Sequence, residues 1–132
     1  MTNEELIEKA AAAVHAKKTG DCTSGDVGCA LETENKNMYT GVCIDTVSGM
    51  GFCAEHAAIA AMVNAREYRI KTIMAVWEDE KGDVFVLHPC GRCRGFMRQI
   101  NEDNMETDVI LGSNRVVTLK DLLPYQDNFC RV

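Results

Sequence analysis

Two stretches of this chain decide its fold: Cys53-Ala-Glu-His-Ala-Ala-Ile-Ala-Ala-Met62 and Pro89-Cys-Gly-Arg-Cys93. The first is rich in alanine, the residue with the highest helix propensity, and its apolar composition predicts a buried helix. The second places two cysteines three residues apart directly after a proline, at the start of a helix predicted over 90–100. Each stretch therefore puts cysteine at the N-terminus of a helix.

Helical and strand patterns alternate on either side of these two segments. An amphipathic helix is predicted to begin at a capping box of Thr2 and Glu5 and to end near Gly20. A short helix over 118–123 is predicted to stop at Pro124. Strands are predicted over 27–31, 38–45, 71–77, 83–87 and 108–111. This order predicts a single domain spanning 1–132, a three-layer α/β/α fold around a five-stranded mixed sheet.

The composition of the chain excludes several classes of function. It has 132 residues, 46% of them hydrophobic, and its net charge is −6. No apolar run approaches the roughly 20 residues needed to cross a bilayer, so we expect no membrane partner. An acidic surface repels phosphate backbones, so we expect no nucleic-acid partner. The N-terminal sequence is acidic and lacks a signal-peptide pattern, which predicts a cytoplasmic location.

The seven cysteines indicate metal chemistry and burial. An odd number cannot pair completely, and a reducing cytosol keeps thiols free. A catalytic zinc takes three protein ligands and keeps one position open. Cys90 and Cys93 lie on one face of a helical turn, and Cys53 supplies a third thiolate from another helix N-terminus. We predict that these three cysteines hold one zinc ion.

The charge of such a site requires compensation. Three thiolates and Zn²⁺ sum to −1, which is unfavourable in a protein interior. The two helix N-termini each present roughly half a positive charge and several free N–H donors. Arg92 and Arg94, beside the ligands, are predicted to add positive charge.

Glu55 is predicted to be the catalytic proton carrier. Zinc lowers the pKa of its water to about 7, and a carboxylate beside that water can move its proton. A Cys-x-x-Cys pair alone is equally typical of a structural zinc site or a redox pair; Cys53, Glu55 and Pro89 favour the catalytic interpretation. His56 and His88 are the candidates for a fourth ligand, and His88 is also a candidate for lining the pocket.

These motifs resemble those of the cytidine deaminase superfamily, whose signature pairs a ligand-x-Glu with Pro-Cys-x-x-Cys. The resemblance extends to Val27-Gly-Cys-Ala-Leu31, Thr40-Gly-Val42 and Leu122-Leu-Pro124, so it covers nearly the whole chain. It is strongest toward the small nucleoside-level enzymes, cytidine deaminase and blasticidin-S deaminase, and Cys-Gly-Arg-Cys leans toward the latter.

The resemblance implies an enzyme that hydrolytically deaminates a cytosine ring. Water activated by zinc adds to C4, Glu55 protonates N3, and ammonia leaves. It also implies one zinc per subunit, a nucleoside substrate and a homotetramer. In related tetramers an aromatic side chain stacks on a neighbour's substrate, a role for which Phe129 and Tyr125 are the candidates. Simple packing of the C-terminal tail is the alternative.

The chain departs from the family pattern where the family binds ribose. Cys43 and Asp45 stand where an Asn and a Glu are usual, and Gly25 or Asp26 replaces a Phe. Asp45 can still accept a hydroxyl hydrogen bond, whereas a thiol cannot imitate an amide. Backbone groups near Ala54 are predicted to complete the pocket. The substrate alternatives are cytidine, deoxycytidine, blasticidin S and a modified cytosine; a zinc-stabilised binding domain without turnover is the alternative to an enzyme.

Overall fold

The computed structural model describes residues 1–126 and 129–132, which form a central sheet covered by helices. The four α-helices are α1 (Asn3–Ala13), α2 (Ala54–Asn64), α3 (Gly91–Ile100) and α4 (Leu119–Leu122). The strands are β1 (Lys17–Thr19), β2 (Cys22–Thr33), β3 (Met38–Asp45), β4 (Ile70–Glu78), β5 (Val84–Leu87), β6 (Asp108–Gly112) and β7 (Arg115–Thr118). None of the described helices has the length and apolarity that a membrane crossing requires.

The sheet is mixed, and its central strands are β2 and β4. These two pair antiparallel, β3 pairs with the free edge of β2, and β6 runs parallel to β4. The hairpin partners β1, β5 and β7 lie beside β2, β4 and β6 respectively, each antiparallel. The strands predicted over 27–31 and 38–45 thus form one antiparallel hairpin, and those predicted over 71–77 and 83–87 form another.

Both faces of the central strands are buried, which produces three layers. In β4, Ile73 and Ala75 belong to the core beneath α2 and α3, whereas Met74 and Val76 belong to the core beneath α1. The same alternation occurs in β2 and β6, because side chains along a strand point to opposite faces. The predicted three-layer α/β/α class is confirmed.

The predicted number of five strands is wrong, since the sheet has seven among the described residues. One additional strand arises because α1 ends at Ala13 and not at Gly20. Gly20, with φ of +49°, lies in a two-residue turn that pairs Thr19 with Cys22. The other additional strand is β7, which returns from β6 through a turn after Gly112. Both strands are short, β1 is exposed and β7 is partly buried only at Val117 and Thr118, so their sequences carry little hydrophobic pattern.

A glycine in β3 allows α2 to approach the sheet closely. A Cβ atom at Gly41 would lie 2.4 Å from the backbone nitrogen of Ala58 and 2.6 Å from the Cβ of Ala57. Any larger residue would push α2 outward. Since Cys53 and Glu55 lie at the N-terminal end of this helix, the contact helps to set the depth of both side chains above the sheet.

A buried carboxylate fastens the β2–β3 turn to the segment after α2. Glu67 is 9% exposed and accepts hydrogen bonds from four side chains: Thr33 (2.7 Å), Asn35 (3.1 Å), Asn37 (2.9 Å) and Tyr39 (2.6 Å). These donors, the Tyr39 hydroxyl first, lower the pKa of Glu67 to about 2. The cluster is a staple that holds the hairpin beside α2.

The staple predicts a pH-dependent stability. The pKa of Glu67 is about 2 in the folded chain and about 4.3 in an unfolded one, so the stabilisation is complete above pH 4.3 and is lost as pH falls toward 2. At pH 7 we expect Glu67→Gln to lower the thermal midpoint by roughly 5 °C or more, and this deficit to shrink between pH 4.3 and 2. The control is Glu34→Gln, an exposed glutamate of the same turn. A deficit that does not change with pH would contradict the assignment.

Candidate metal centre

The cysteines predicted to bind zinc are held by the first turns of α2 and α3. Cys53 is the N-cap of α2 and Cys90 is the N-cap of α3, and both have extended backbone angles. Neither side chain caps its own helix, so both thiols are free to face each other. Cys93 follows one turn into α3 and is fully buried. A backbone bridge between Ile44 and Phe52 ties the approach to Cys53 to β3.

The spacing of the three sulfur atoms fits a single zinc ion. Sγ of Cys90 lies 3.5 Å from Sγ of Cys53 and 3.4 Å from Sγ of Cys93, and all three lie within 4.8 Å of one another. Zinc–sulfur bonds of about 2.3 Å in a tetrahedron place the sulfurs about 3.8 Å apart. A disulfide would instead require about 2.05 Å, and all three cysteines are free. The donor set and its spacing therefore suit zinc.

Backbone donors at the start of α3 favour the thiolate form of Cys90. Burial acts to raise the pKa of Cys90, but hydrogen bonds together outweigh it and the pKa is lowered. They come from the backbone N–H and the thiol of Cys93, from the thiol of Cys53 and from the backbone N–H of Arg92. Burial raises the pKa of Cys53 and of Cys93. A bound cation is the normal way to hold such thiols deprotonated.

Glu55 points into the cavity that the sulfurs border. It lies in the first turn of α2, is 6% exposed, and lines a cavity of about 210 Å³ together with Cys53 and Cys90. Burial raises the pKa of its carboxyl group, and its own backbone N–H opposes this shift only in part. A carboxyl group in such a setting can both accept and return a proton.

His56, predicted from the sequence only as a candidate fourth ligand, contacts the sulfur of Cys93. Its Nδ1 lies 3.5 Å from Sγ of Cys93, and its ring stacks on Phe96 with centroids 4.3 Å apart. Burial, with the charge of Arg92, lowers the pKa of His56. In the tautomer with the proton on Nδ1, His56 donates to the Cys93 sulfur, and such a hydrogen bond draws charge from a thiolate and orients it. The spacing along α2 alone gave no sign of it, because the partner is on α3.

Comparison with known proteins identifies the family. The sequence pattern of the family described as "Cytidine and deoxycytidylate deaminase zinc-binding region" matches residues 1–107, about four-fifths of the chain. The chain belongs to this deaminase family.

Three solved structures illustrate the similarity of the fold. Cytidine deaminase from Mycobacterium tuberculosis is 27% identical with a TM-score of 0.75, covering 96% of this chain and 97% of the other. The enzyme from Mycobacterium leprae is 27% identical with a TM-score of 0.73, covering 94% and 99%. The enzyme from Burkholderia pseudomallei is 29% identical with a TM-score of 0.73, covering 95% and 98%. No curated protein sequence matches the chain.

Membership of the deaminase family confirms the predicted resemblance and supports zinc as the metal of this centre. The residues predicted to contact substrate lie on the same cavity: Cys43, Asp45 and Ala54 all line it. Asp26 and His88 line it too. The structure thus places the cluster of Asp26, Cys43 and Asp45 and two of the candidate zinc ligands, Cys53 and Cys90, on the same cavity.

The two arginines predicted to compensate the thiolates differ in their contacts. Arg94 donates from Nε to the carbonyl oxygen of Pro89 at 2.8 Å and from a terminal nitrogen to that of Leu122 at 3.2 Å. It therefore braces the backbone before Cys90. Arg92 is exposed, and its charge acts on His56. A direct electrostatic effect of either arginine on bound zinc stays a prediction.

The aromatic residues of the C-terminal tail lie on the surface of this chain. Phe129 is 90% exposed and Tyr125 is 97% exposed, and neither lines the cavity. Simple packing of the C-terminal tail stays the alternative prediction for these rings. Their contribution to a neighbouring subunit stays a prediction.

Proposed function

We propose that this protein is a zinc-dependent hydrolase that converts the cytosine ring of a nucleoside into uracil and releases ammonia. The observation that carries this proposal is the meeting, in one cavity, of three thiols at zinc spacing and a buried carboxyl group, Glu55. The family to which the chain belongs supports it.

The residues of the cavity divide the work. Cys53, Cys90 and Cys93 hold one zinc ion per chain. When bound, zinc supplies the Lewis acidity that makes hydroxide available near neutral pH. Glu55 takes the proton of the attacking water, delivers it to N3 of the ring, and then helps to protonate the departing ammonia. Since hydrolysis consumes one water and releases one ammonia, no further reactant is required.

The nucleoside class is supported by the size of the cavity and by the relatives. About 210 Å³ suits a small molecule and not a polymer. The similar solved structures are cytidine deaminases. Cytidine, 2′-deoxycytidine and blasticidin S are the first compounds to compare, as the Cys-Gly-Arg-Cys motif favours the last.

The test is to incubate the zinc-loaded protein with each of these compounds and to measure ammonia release and loss of cytosine absorbance. We expect stoichiometric release of ammonia from at least one of them. Binding of a nucleoside without ammonia release would favour an inactive binding domain instead. If the protein neither binds nor deaminates any of these compounds, the proposal is contradicted.

We also propose that the chain is a single domain that acts as a cytoplasmic homotetramer, with no membrane or nucleic-acid partner. The exposure of Phe129 and Tyr125 supports the assembly, because an isolated chain leaves both rings without a packing partner in its described part. Sedimentation of the zinc-loaded protein tests the tetramer, and a monomer would contradict it.

A further inference from the structure

The cavity bordered by the candidate zinc ligands Cys53 and Cys90 is also lined by two further carboxylates. Asp26 in β2 and Asp45 at the end of β3 lie around Cys43, with one carboxylate oxygen of each and the sulfur all within 4.8 Å of one another. All three side chains line the cavity into which Glu55 points. A ligand that fills this cavity of about 210 Å³ therefore lies against the carboxyl groups of Glu55, Asp26 and Asp45.

The thiol between the carboxylates does not offset their charge. Cys43 is 5% exposed and donates a hydrogen bond to Oδ1 of Asp26 at 3.0 Å. Burial, followed by this hydrogen bond, raises the pKa of Cys43 to about 11, so the group is a neutral thiol at pH 7. Its only proton is already donated to Asp26. Asp26 and Asp45 therefore present negatively charged acceptor oxygens to a ligand in the cavity.

Among the described residues that line the cavity, His88 is the only one whose side chain can carry positive charge. Within residues 1–126 and 129–132, neither Asp26 nor Asp45 forms an ion pair. Arg92 shares only an adjacent surface depression with Asp45. Glu55 is only 6% exposed and accepts no hydrogen bond from another residue of the described chain, so its carboxyl group is also available to a ligand. The cavity is thus lined by three carboxyl groups, those of Glu55, Asp26 and Asp45.

We infer that this cavity selects a cytosine compound whose sugar-like part carries a positive charge, held by Asp26 and Asp45. This inference rests on the proposed function and specifies its substrate class. A cation placed between two uncompensated carboxylates gains from both, whereas a neutral hydroxyl gains only a hydrogen bond. A phosphate in the same place meets two like charges, which disfavours nucleotides.

The experiment compares cytosine nucleosides and a nucleotide whose sugar parts carry positive, neutral or negative charge. The probes are cytidine, its 2′-, 3′- and 5′-amino-deoxy analogues, and cytidine 5′-monophosphate, at a pH where the amines are protonated. We expect at least one amino analogue to exceed cytidine about tenfold in kcat/KM, and the monophosphate to fall well below cytidine. In the Asp26→Asn/Asp45→Asn protein the preference for the amine should fall to within about threefold. Asp83→Asn, an exposed aspartate in the β4–β5 turn, is the matched control and should retain it.

A second measurement separates this inference from the proposed function. Calorimetric binding of the same compounds to zinc-loaded Glu55→Gln protein reports charge preference without turnover. Absence of deamination with a retained preference for amines would contradict the proposed function and leave the inference supported. Equal binding of cytidine and every amine, or a preference that survives in the double variant, would overturn the inference. A second zinc equivalent that disappears in the double variant would also overturn it, since the carboxylates would then be a metal site.

Discussion

Replacing Glu55 by Gln is expected to lower kcat for cytosine deamination by roughly 10³-fold or more while zinc stays at one equivalent per chain. Glutamine keeps the shape of the side chain but cannot accept and return a proton, and general acid–base catalysis is typically worth 10²–10⁴-fold. The carboxyl group lies in the cavity bordered by Cys53 and Cys90, and its removal breaks no hydrogen bond to another described residue. The fold and the metal should therefore persist.

The measurements are kcat, zinc content and the thermal midpoint of the same preparation. Glu80→Gln, an exposed glutamate in the β4–β5 turn, is the matched control and should behave as the unmodified protein. A Glu55→Gln protein that retains full activity would show that the proton passes through another group. Loss of zinc together with activity would mean that Glu55 acts on the metal and not on the reacting water.

Replacing Cys90 by Ala is expected to abolish deamination and to weaken zinc binding by at least 100-fold. Cys90 is the sulfur that lies within 3.5 Å of both other cysteines, so its loss leaves two ligands on different helices. Because zinc binds the folded chain, its loss also lowers stability. With free zinc at 1,000 times the dissociation constant, the binding stabilises the fold by about 4 kcal/mol.

A chelator provides the corresponding test of linkage. Removing zinc from the unmodified protein should lower its thermal midpoint to near that of Cys90→Ala, whereas the variant itself should not respond to the chelator. Cys130→Ala removes an exposed cysteine and serves as the control. The Cys130→Ala protein should keep its zinc, and its thermal midpoint should still fall when the chelator is added. If the unmodified protein shows no shift on chelation, the three sulfurs do not hold a stabilising ion.

The sequence predicted the elements that carry strong patterns. The alanine-rich run predicts α2, and the Thr2–Glu5 pair predicts a capping box that the structure contains. The continuous apolar runs of β2 and β4 predict strands buried on both faces. The strands β1 and β7 were missed because both are short, β1 is exposed and only the last two residues of β7 are partly buried. The pairing of their backbones defines them more than a hydrophobic pattern does.

Contacts between distant segments were beyond sequence reasoning. Spacing predicted that Cys90 and Cys93 share a helical face, and the need of a catalytic zinc for a third ligand joined Cys53, at another helix N-terminus, to them. The contact between His56 and Cys93 depends on how α2 packs against α3, which no local pattern encodes. The four donors to Glu67 are only weakly indicated by the sequence: polar side chains occur at every second position through the hairpin, at Thr33, Asn35, Asn37 and Tyr39. Their common acceptor, 28 to 34 residues away, had none.

The most direct test of this account is X-ray absorption at the zinc edge of the freshly loaded protein. We expect three sulfur scatterers at about 2.3 Å and one lighter oxygen or nitrogen scatterer at about 2.0 Å, the latter exchangeable with added ligand. Such a spectrum would mean that Cys53, Cys90 and Cys93 leave one position of the metal open toward Glu55. Four sulfur scatterers, or a site of nitrogen and oxygen alone, would contradict the account.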